Sequence, residues 1–188
     1  MALLGWQLPP LERGAQALQR GDASEALRAL EQATREQPNS ARAHKLLGMA
    51  HSMKEAWAPA ETAFRTACRL DKKERNACYY LARVLYSMNR FDESLAVVEE
   101  ALRTGACDRH RALTAKGLAL EAVGRNAEAE RAHKDAASSG TPEALTAYGL
   151  FLFHQGRAKE SLPLLTRAGA SEELKRVQRT LEGGVSVR

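Results

Sequence analysis

The sequence predicts an all-α fold, an array of about five helical hairpins, and three observations predict it. Small residues recur in a fixed register, apolar residues within each register unit fall into two helical stripes, and polar turn residues separate the stripes. The register is one small residue, a second 12 positions on and a third 7 further: Gly14, Ala26, Ala33; Gly48, Ala60, Ala67; Ala82, Ser94, Ala101; Gly117, Ala129, Ala136; Gly149, Ser161, Ala168. Successive units start 34, 34, 35 and 32 residues apart. Gly, Ala and Ser make up about 30% of the chain, so one such triplet arises by chance roughly 3% of the time and five nearly in phase do not. Small side chains at these positions let helices approach closely, where a bulky group would hold the backbones apart.

Each unit follows from its residues in turn. The first, 7–40, opens on Pro9-Pro10, tolerated in the first turn of a helix, and reverses at Gly21-Asp22. In the second, 41–74, His44, Leu47, Gly48 and His51 share one helical face while Ala60, Ala63, Phe64 and Ala67 form a second stripe. The third, 75–108, turns at Asn89-Arg90, and the fourth, 110–141, at Gly124-Arg125-Asn126. The fifth, 142–170, turns at Gln155-Gly156 and carries Pro163 within its second helix, which is therefore expected to start late or bend. Residues 171–182 read as a capping helix, with Ser171 as N-cap, Glu172 and Glu173 in the first turn, and Leu174, Val177 and Leu181 on one face. Gly183-Gly184 ends it, and Val185-Ser186-Val187 has a strand-like alternation. The whole of 1–188 is expected to be one domain.

These features resemble the tetratricopeptide repeat family, whose unit is a 34-residue helix-turn-helix, and the resemblance covers about residues 7–173. Phe64 stands where the family has a large apolar residue in the second helix, Trp57 and Phe91 where an aromatic opens that helix, and Pro38 where a proline closes the repeat. Lys72, Ala106, Thr141 and Glu173 occupy the proline step in the later units. Arg13 and Lys116 fall where the family prefers Leu. The resemblance implies a right-handed α-α superhelix with the first helix of each pair lining a concave groove.

That groove is the expected ligand site, a peptide-binding surface. On the first helices, away from the core stripe, lie Arg42, Lys45, Met49 and Met53, then Asn76, Tyr79, Arg83 and Tyr86, then Arg111, Thr114, Leu118, Thr146, Leu150 and Phe153. Such a surface, basic and aromatic first and more apolar beyond, suits a protein or peptide bearing carboxylates and hydrophobic anchors. Tyr79 and Tyr86 could equally cover a seam between helices, and Met49 and Met53 could fill the core. Some family members clamp a C-terminal carboxylate. Lys45 and Arg111 resemble two of the clamp's basic positions, but Met49 and Tyr80 stand where it has asparagines and Ala115 where it has a further cation, so that activity is not assigned.

Composition narrows the function. Hydrophobic residues at 44% and charged residues at 27% are those of a folded chain, and no apolar run approaches the roughly 20 residues of a membrane span. The net charge of +5 is uneven: residues 1–40 carry −1, residues 41–90 carry +6, and residues 91–188 balance. An acidic partner is therefore favoured near the second quarter of the chain. The cations form no continuous stripe and no nucleic-acid motif, which argues against nucleic-acid binding. Three cysteines, Cys68, Cys78 and Cys107, spaced 10 and 29 apart, suit neither a disulfide framework nor a zinc site and read as reduced thiols. Met1–Pro10 does not read as a signal peptide, so the expected location is cytoplasmic, or periplasmic if a leader has been removed.

His44 and His51, seven apart, miss the i, i+4 spacing of a helical zinc site, and His110, His133 and His154 have no cysteine or carboxylate partner at a recognised spacing. No phosphate loop, nucleophile elbow or dinucleotide fingerprint occurs. The expectation is a non-enzymatic scaffold without cofactor or metal. A docking region of a larger enzyme extending beyond Arg188 is the alternative, and Ala2, Leu3, Leu4 and Trp6 leave room for pairing with another copy.

Overall fold

The computed structural model describes residues 8–71 and 76–182. The apolar residues 2–6, the cations Lys72, Lys73 and Arg75, and the strand-like tail lie outside the described residues. Helices account for every regular element among those described: α1 (Pro10–Gln19), α2 (Ala23–Glu36), α3 (Ala41–Met53), α4 (Trp57–Leu70), α5 (Ala77–Ser87), α6 (Phe91–Thr104), α7 (Arg109–Ala122), α8 (Asn126–Ala137), α9 (Pro142–His154), α10 (Ala158–Ala168) and α11 (Ser171–Glu182). The chain forms two compact units, one ending at Arg90 and the other beginning at Phe91. Repeats one, two, four and five each lie within a single unit, whereas the two helices of the third fall in different units.

Within the first, second, fourth and fifth hairpins the helices interlock through a residue pair sixteen positions apart. A Cβ added to Gly48 would sit 2.8 Å from the Phe64 ring, one on Gly117 would sit 2.6 Å from the His133 ring, and one on Gly149 would sit 2.8 Å from Leu165. Gly14 receives Leu30 in the same way. The register glycines of the first helices are thus sockets for a large buried residue of the second, and Leu30, Phe64, His133 and Leu165 are all fully buried.

The turns repeat as well. Gly21, Glu55, Asn89, Gly124 and Gly156 each take a left-handed backbone. The next amide then donates to a carbonyl five residues back: Asp22 to Ala17, Ala56 to His51, Arg90 to Leu85, Arg125 to Leu120 and Arg157 to Leu152. This is the Schellman closure, which satisfies carbonyls left over at a helix end. Glu55 is the one side chain here that is neither glycine nor asparagine, and its Cβ is crowded at φ 56°. Glu55→Gly is expected to stabilise the protein by about 1 kcal/mol, read as a higher urea midpoint at unchanged slope.

In the first unit α1 packs on α2, α3 on α4, and α5 on α4. The first helices of successive hairpins also touch, α1 with α3 and α3 with α5, which places them on the tighter, inner side of the unit. Ala17, Ala26, Leu30 and Ala50 form a core there, joined by Leu11, Leu18, Leu27, Leu46 and Leu47. The Glu61 carboxylate holds α4 by salt bridges to Arg65 at 2.8 Å and Arg90 at 2.6 Å. Burial alone would raise its pKa, but the two guanidiniums prevail and keep it below the usual carboxylate range.

In the second unit α7 packs on α8 and α9 on α10, with α7 touching α9. Helix α10 begins 32 residues after α8 and spans 11 residues with Pro163 inside, so the expected late start is corrected. Its first turn closes on Arg157, whose carbonyl accepts from the Ser161 amide, so the helix is established before the proline. Helix α11 covers α10 as the expected cap. Val177 is fully buried against Phe153 and Leu165, and Leu174 packs beside them, while Leu181 stays exposed. Ser171 is the first helical residue, and its hydroxyl donates to the Gly169 carbonyl at 3.4 Å instead of capping.

Candidate binding site

The inner side of the first unit carries a cavity of about 260 Å³. Leu18 of α1, Met49 and Met53 of α3, Trp57 of α4, and Tyr80 and Arg83 of α5 contribute to its wall. Phe64 underlies it, stacked on Tyr80 with ring centroids 5.6 Å apart and planes 15° from parallel. Met53 is 45% exposed, unusual for a large apolar side chain, and marks an apolar surface open to solvent beside the Arg83 guanidinium. That guanidinium lies 5.7 Å from the centre of the Tyr79 ring one turn earlier, close enough for a cation–π contact. The site is a greasy hollow of two flexible thioethers and three aromatics with the Arg83 guanidinium among them.

The residues expected to form the groove divide on inspection. Met49, Met53 and Arg83 meet at the cavity. Arg42 is exposed and Lys45 half-buried on the same helix as the methionines. Asn76 is buried, with a left-handed backbone at φ 68°, and serves the start of α5. Tyr79, at 3% exposure, is also buried, its ring set edgewise to Tyr80 at 5.3 Å; its place is the seam, with the Arg83 guanidinium over its ring. Tyr86 is half-buried.

Arg111 belongs to the second unit, at the start of α7, half-buried and 3.8 Å from Asp108. Two further groove residues are corrected there. Thr114 is buried, its hydroxyl turned back onto the His110 carbonyl at 2.9 Å, and Phe153 is buried beneath α11, with Arg176 5.7 Å from its ring centre.

The sequence offers Trp57 as the aromatic that opens α4 and Tyr80 at a clamp position lacking its asparagine; neither reading brings them to a cavity wall, where the structure puts both. The signal for Tyr80 was present: its counterparts at the same repeat position are Leu46, Ala115 and Ala147, so an aromatic there is the exception. Two of the histidines meet one carboxylate that no sequence spacing announces: Glu121 lies 3.2 Å from His154 Nδ1 and 3.9 Å from His133 Nε2. His44 Nε2 lies 2.9 Å from the Pro38 carbonyl. Burial lowers the pKa of His51, against the pull of Glu31. Among the described residues no cluster of three or more His, Cys, Asp or Glu is placed to hold a metal, and no helix is long and apolar enough to cross a membrane.

The same architecture is found in solved structures. A thermophilic tetratricopeptide repeat protein of Thermus thermophilus, TTC0263, superposes with a TM-score of 0.78 at 23% identity, over 92% of this chain and 97% of that one. PilF of Pseudomonas aeruginosa does so with 0.73 at 18% identity, over 91% and 89%. MamA of Desulfovibrio magneticus RS-1, residues 41 to the end, gives 0.68 at 22% identity, over 90% and 94%. At these identities the likeness is one of fold. No curated protein matches the sequence with significance. The tetratricopeptide repeat profile matches residues 11–75, 79–139 and 114–173. Those segments take in almost every hairpin described above, with their socket glycines and left-handed turns, and the chain therefore belongs to the tetratricopeptide repeat family.

Proposed function

We propose that the protein is a non-enzymatic binding scaffold that holds an extended segment of a partner protein against the inner side of its first unit. One observation carries this reading: an open apolar cavity of about 260 Å³ with Met49, Met53 and Trp57 in its wall and the Arg83 guanidinium among them. An apolar side chain of the partner fills the hollow, and a neighbouring carboxylate meets Arg83 and, from the same face of α3, Arg42 and Lys45. Methionine adapts to the shape of the anchor, and the guanidinium offers a forked pair of donors for the carboxylate. The charge of residues 41–90 steers an acidic segment to this region. It also favours peptide over nucleic acid, because Arg65 and Arg90 are already engaged by Glu61. Reduced thiols suit a cytoplasmic setting.

The test is fluorescence polarisation with short labelled peptides pairing Asp or Glu with Leu or Phe, set against charge-scrambled controls. The best acidic binder is expected to lose about tenfold or more in affinity to K45E/R83E. Equal affinity for both proteins, or no preference for acidic peptides, sinks the proposal. The same reversal at Arg111, made separately, reports whether the second unit takes part.

A further inference from the structure

Two of the three cysteines, ten apart in sequence, are brought together by the fold. Cys68 lies in the last turn of α4 and Cys78 in the first turn of α5, and their sulfurs are 2.8 Å apart. Both are thiols, and both are half-buried, so a small oxidant reaches them. A disulfide needs its sulfurs at about 2.05 Å, a closure of less than about 1 Å from here. The juxtaposition is peculiar to this junction. The corresponding positions hold Thr34 and His44 one repeat earlier, and Leu102 and Leu113 one repeat later, where an apolar contact does the packing.

We propose that Cys68 and Cys78 are a redox-responsive pair that closes to an intramolecular disulfide on exposure to hydrogen peroxide. One thiol, as its thiolate, attacks the peroxide O–O bond, becoming a sulfenic acid and releasing hydroxide, which takes up a proton to give water. The second thiolate then attacks the sulfenic sulfur, the S–S bond forms, and the hydroxyl leaves as a second water. In sum, two thiols and one peroxide give one disulfide and two waters, the sulfurs supplying the two electrons. The bond ties α4 to α5, the helices that bring Trp57, Tyr80 and Arg83 to the cavity, so oxidation braces one wall of it. The disulfide itself depends on nothing bound there, so its chemistry is tested apart from peptide capture.

The experiment treats the reduced full chain at low micromolar concentration with equimolar hydrogen peroxide, quenches with N-ethylmaleimide and maps peptides by mass spectrometry. The expected product is a Cys68–Cys78 cross-link about 2 Da lighter than the two thiols, with maleimide on Cys107 alone and full reversal by dithiothreitol. Closure is expected to be about tenfold or more faster in the folded chain than in urea, because the fold pre-positions the sulfurs. C78S is expected to leave Cys68 open to maleimide or trapped as its sulfenic acid. Three results would overturn the proposal: both thiols staying alkylatable under peroxide, oxidation without the cross-link, or equal rates in the folded and unfolded chains.

Discussion

Phe64→Ala is expected to remove about 3–5 kcal/mol of stability, the largest loss from any single truncation in the first unit. The ring is fully buried, it fills the socket opened by Gly48, and it is stacked beneath Tyr80. Alanine removes the transfer energy of a whole benzyl group. It also leaves a void that the close helix pair cannot collapse to fill, because α3 and α4 are held by the turn at Glu55 and by their other contacts. Phe64→Leu, which copies the residue used at the same place by the first and fifth repeats, is expected to cost about 1 kcal/mol. Urea denaturation followed by the fluorescence of Trp57, in a Trp6→Phe background, reads the first unit directly. A loss under about 1 kcal/mol for the alanine variant would mean that the Gly48–Phe64 lock is not a main support of the hairpin. The alanine variant also opens the cavity floor, so it should weaken peptide capture more than the leucine variant does.

Below neutral pH the second unit is expected to lose about 3 kcal/mol of stability, and His133→Leu to abolish that loss. His133 occupies the slot that holds leucine or phenylalanine in the other hairpins with a glycine socket. Its ring sits against Gly117 and 5.2 Å from the centre of Phe151, and neither ring nitrogen has a hydrogen-bond partner among the described residues. The charged groups facing it are Glu121, whose carboxylate lies 3.9 Å from Nε2, and His154, which shares that carboxylate at 3.2 Å. Burial disfavours the imidazolium and pushes the pKa from the ordinary 6.5 down to about 4. The unfolded chain therefore takes up a proton as the pH falls through 6.5, while the folded chain does not until about 4. Stability declines across that window and levels below it. His51, also shifted down by burial, adds a contribution of the same sign in the first unit. Glu61 acts only below about 4.5, where protonation removes its hold on Arg65 and Arg90. Stability curves at pH 7 and pH 5, a range that takes in about 2 kcal/mol of the change, separate the two imidazoles when the wild type is compared with H133L and H51L. If H133L keeps the wild-type slope between these pH values, the buried imidazole is not the acid-sensitive element. At pH 7 the same substitution should be stabilising, since it replaces two unpaired nitrogens with a methyl-bearing side chain of suitable volume.

Fold and site differed in how far they could be read from the residues. The hairpins were legible because a 34-residue period, a triplet of small residues and turn-forming Gly and Asn point to the same answer at different levels. Glu55 escaped notice as a turn residue because nothing in its chemistry favours a left-handed backbone; the closure it completes imposes that backbone. Pro163 does not delay the start of α10, for a related reason. A proline is judged by the amide it lacks, but α10 had already closed its first turn on Arg157. On the inner side, a helical wheel correctly took Met49, Met53 and Arg83 away from the core, and it could not know that α11 would roof over Phe153. Nor does any spacing rule bring Cys68 to Cys78, since that contact depends on the angle at which α5 leaves α4.

The glycine sockets have one more consequence, for the order in which the chain assembles. Each lock joins residues only sixteen apart and needs only one short reversal, so the entropy lost in closing it is small and is recovered at once within the same hairpin. Contacts of such short reach favour rapid, zipper-like growth from whichever hairpin closes first. The hairpin built on His133 would be the slowest to join in mildly acidic solution, where its imidazole must first shed a proton.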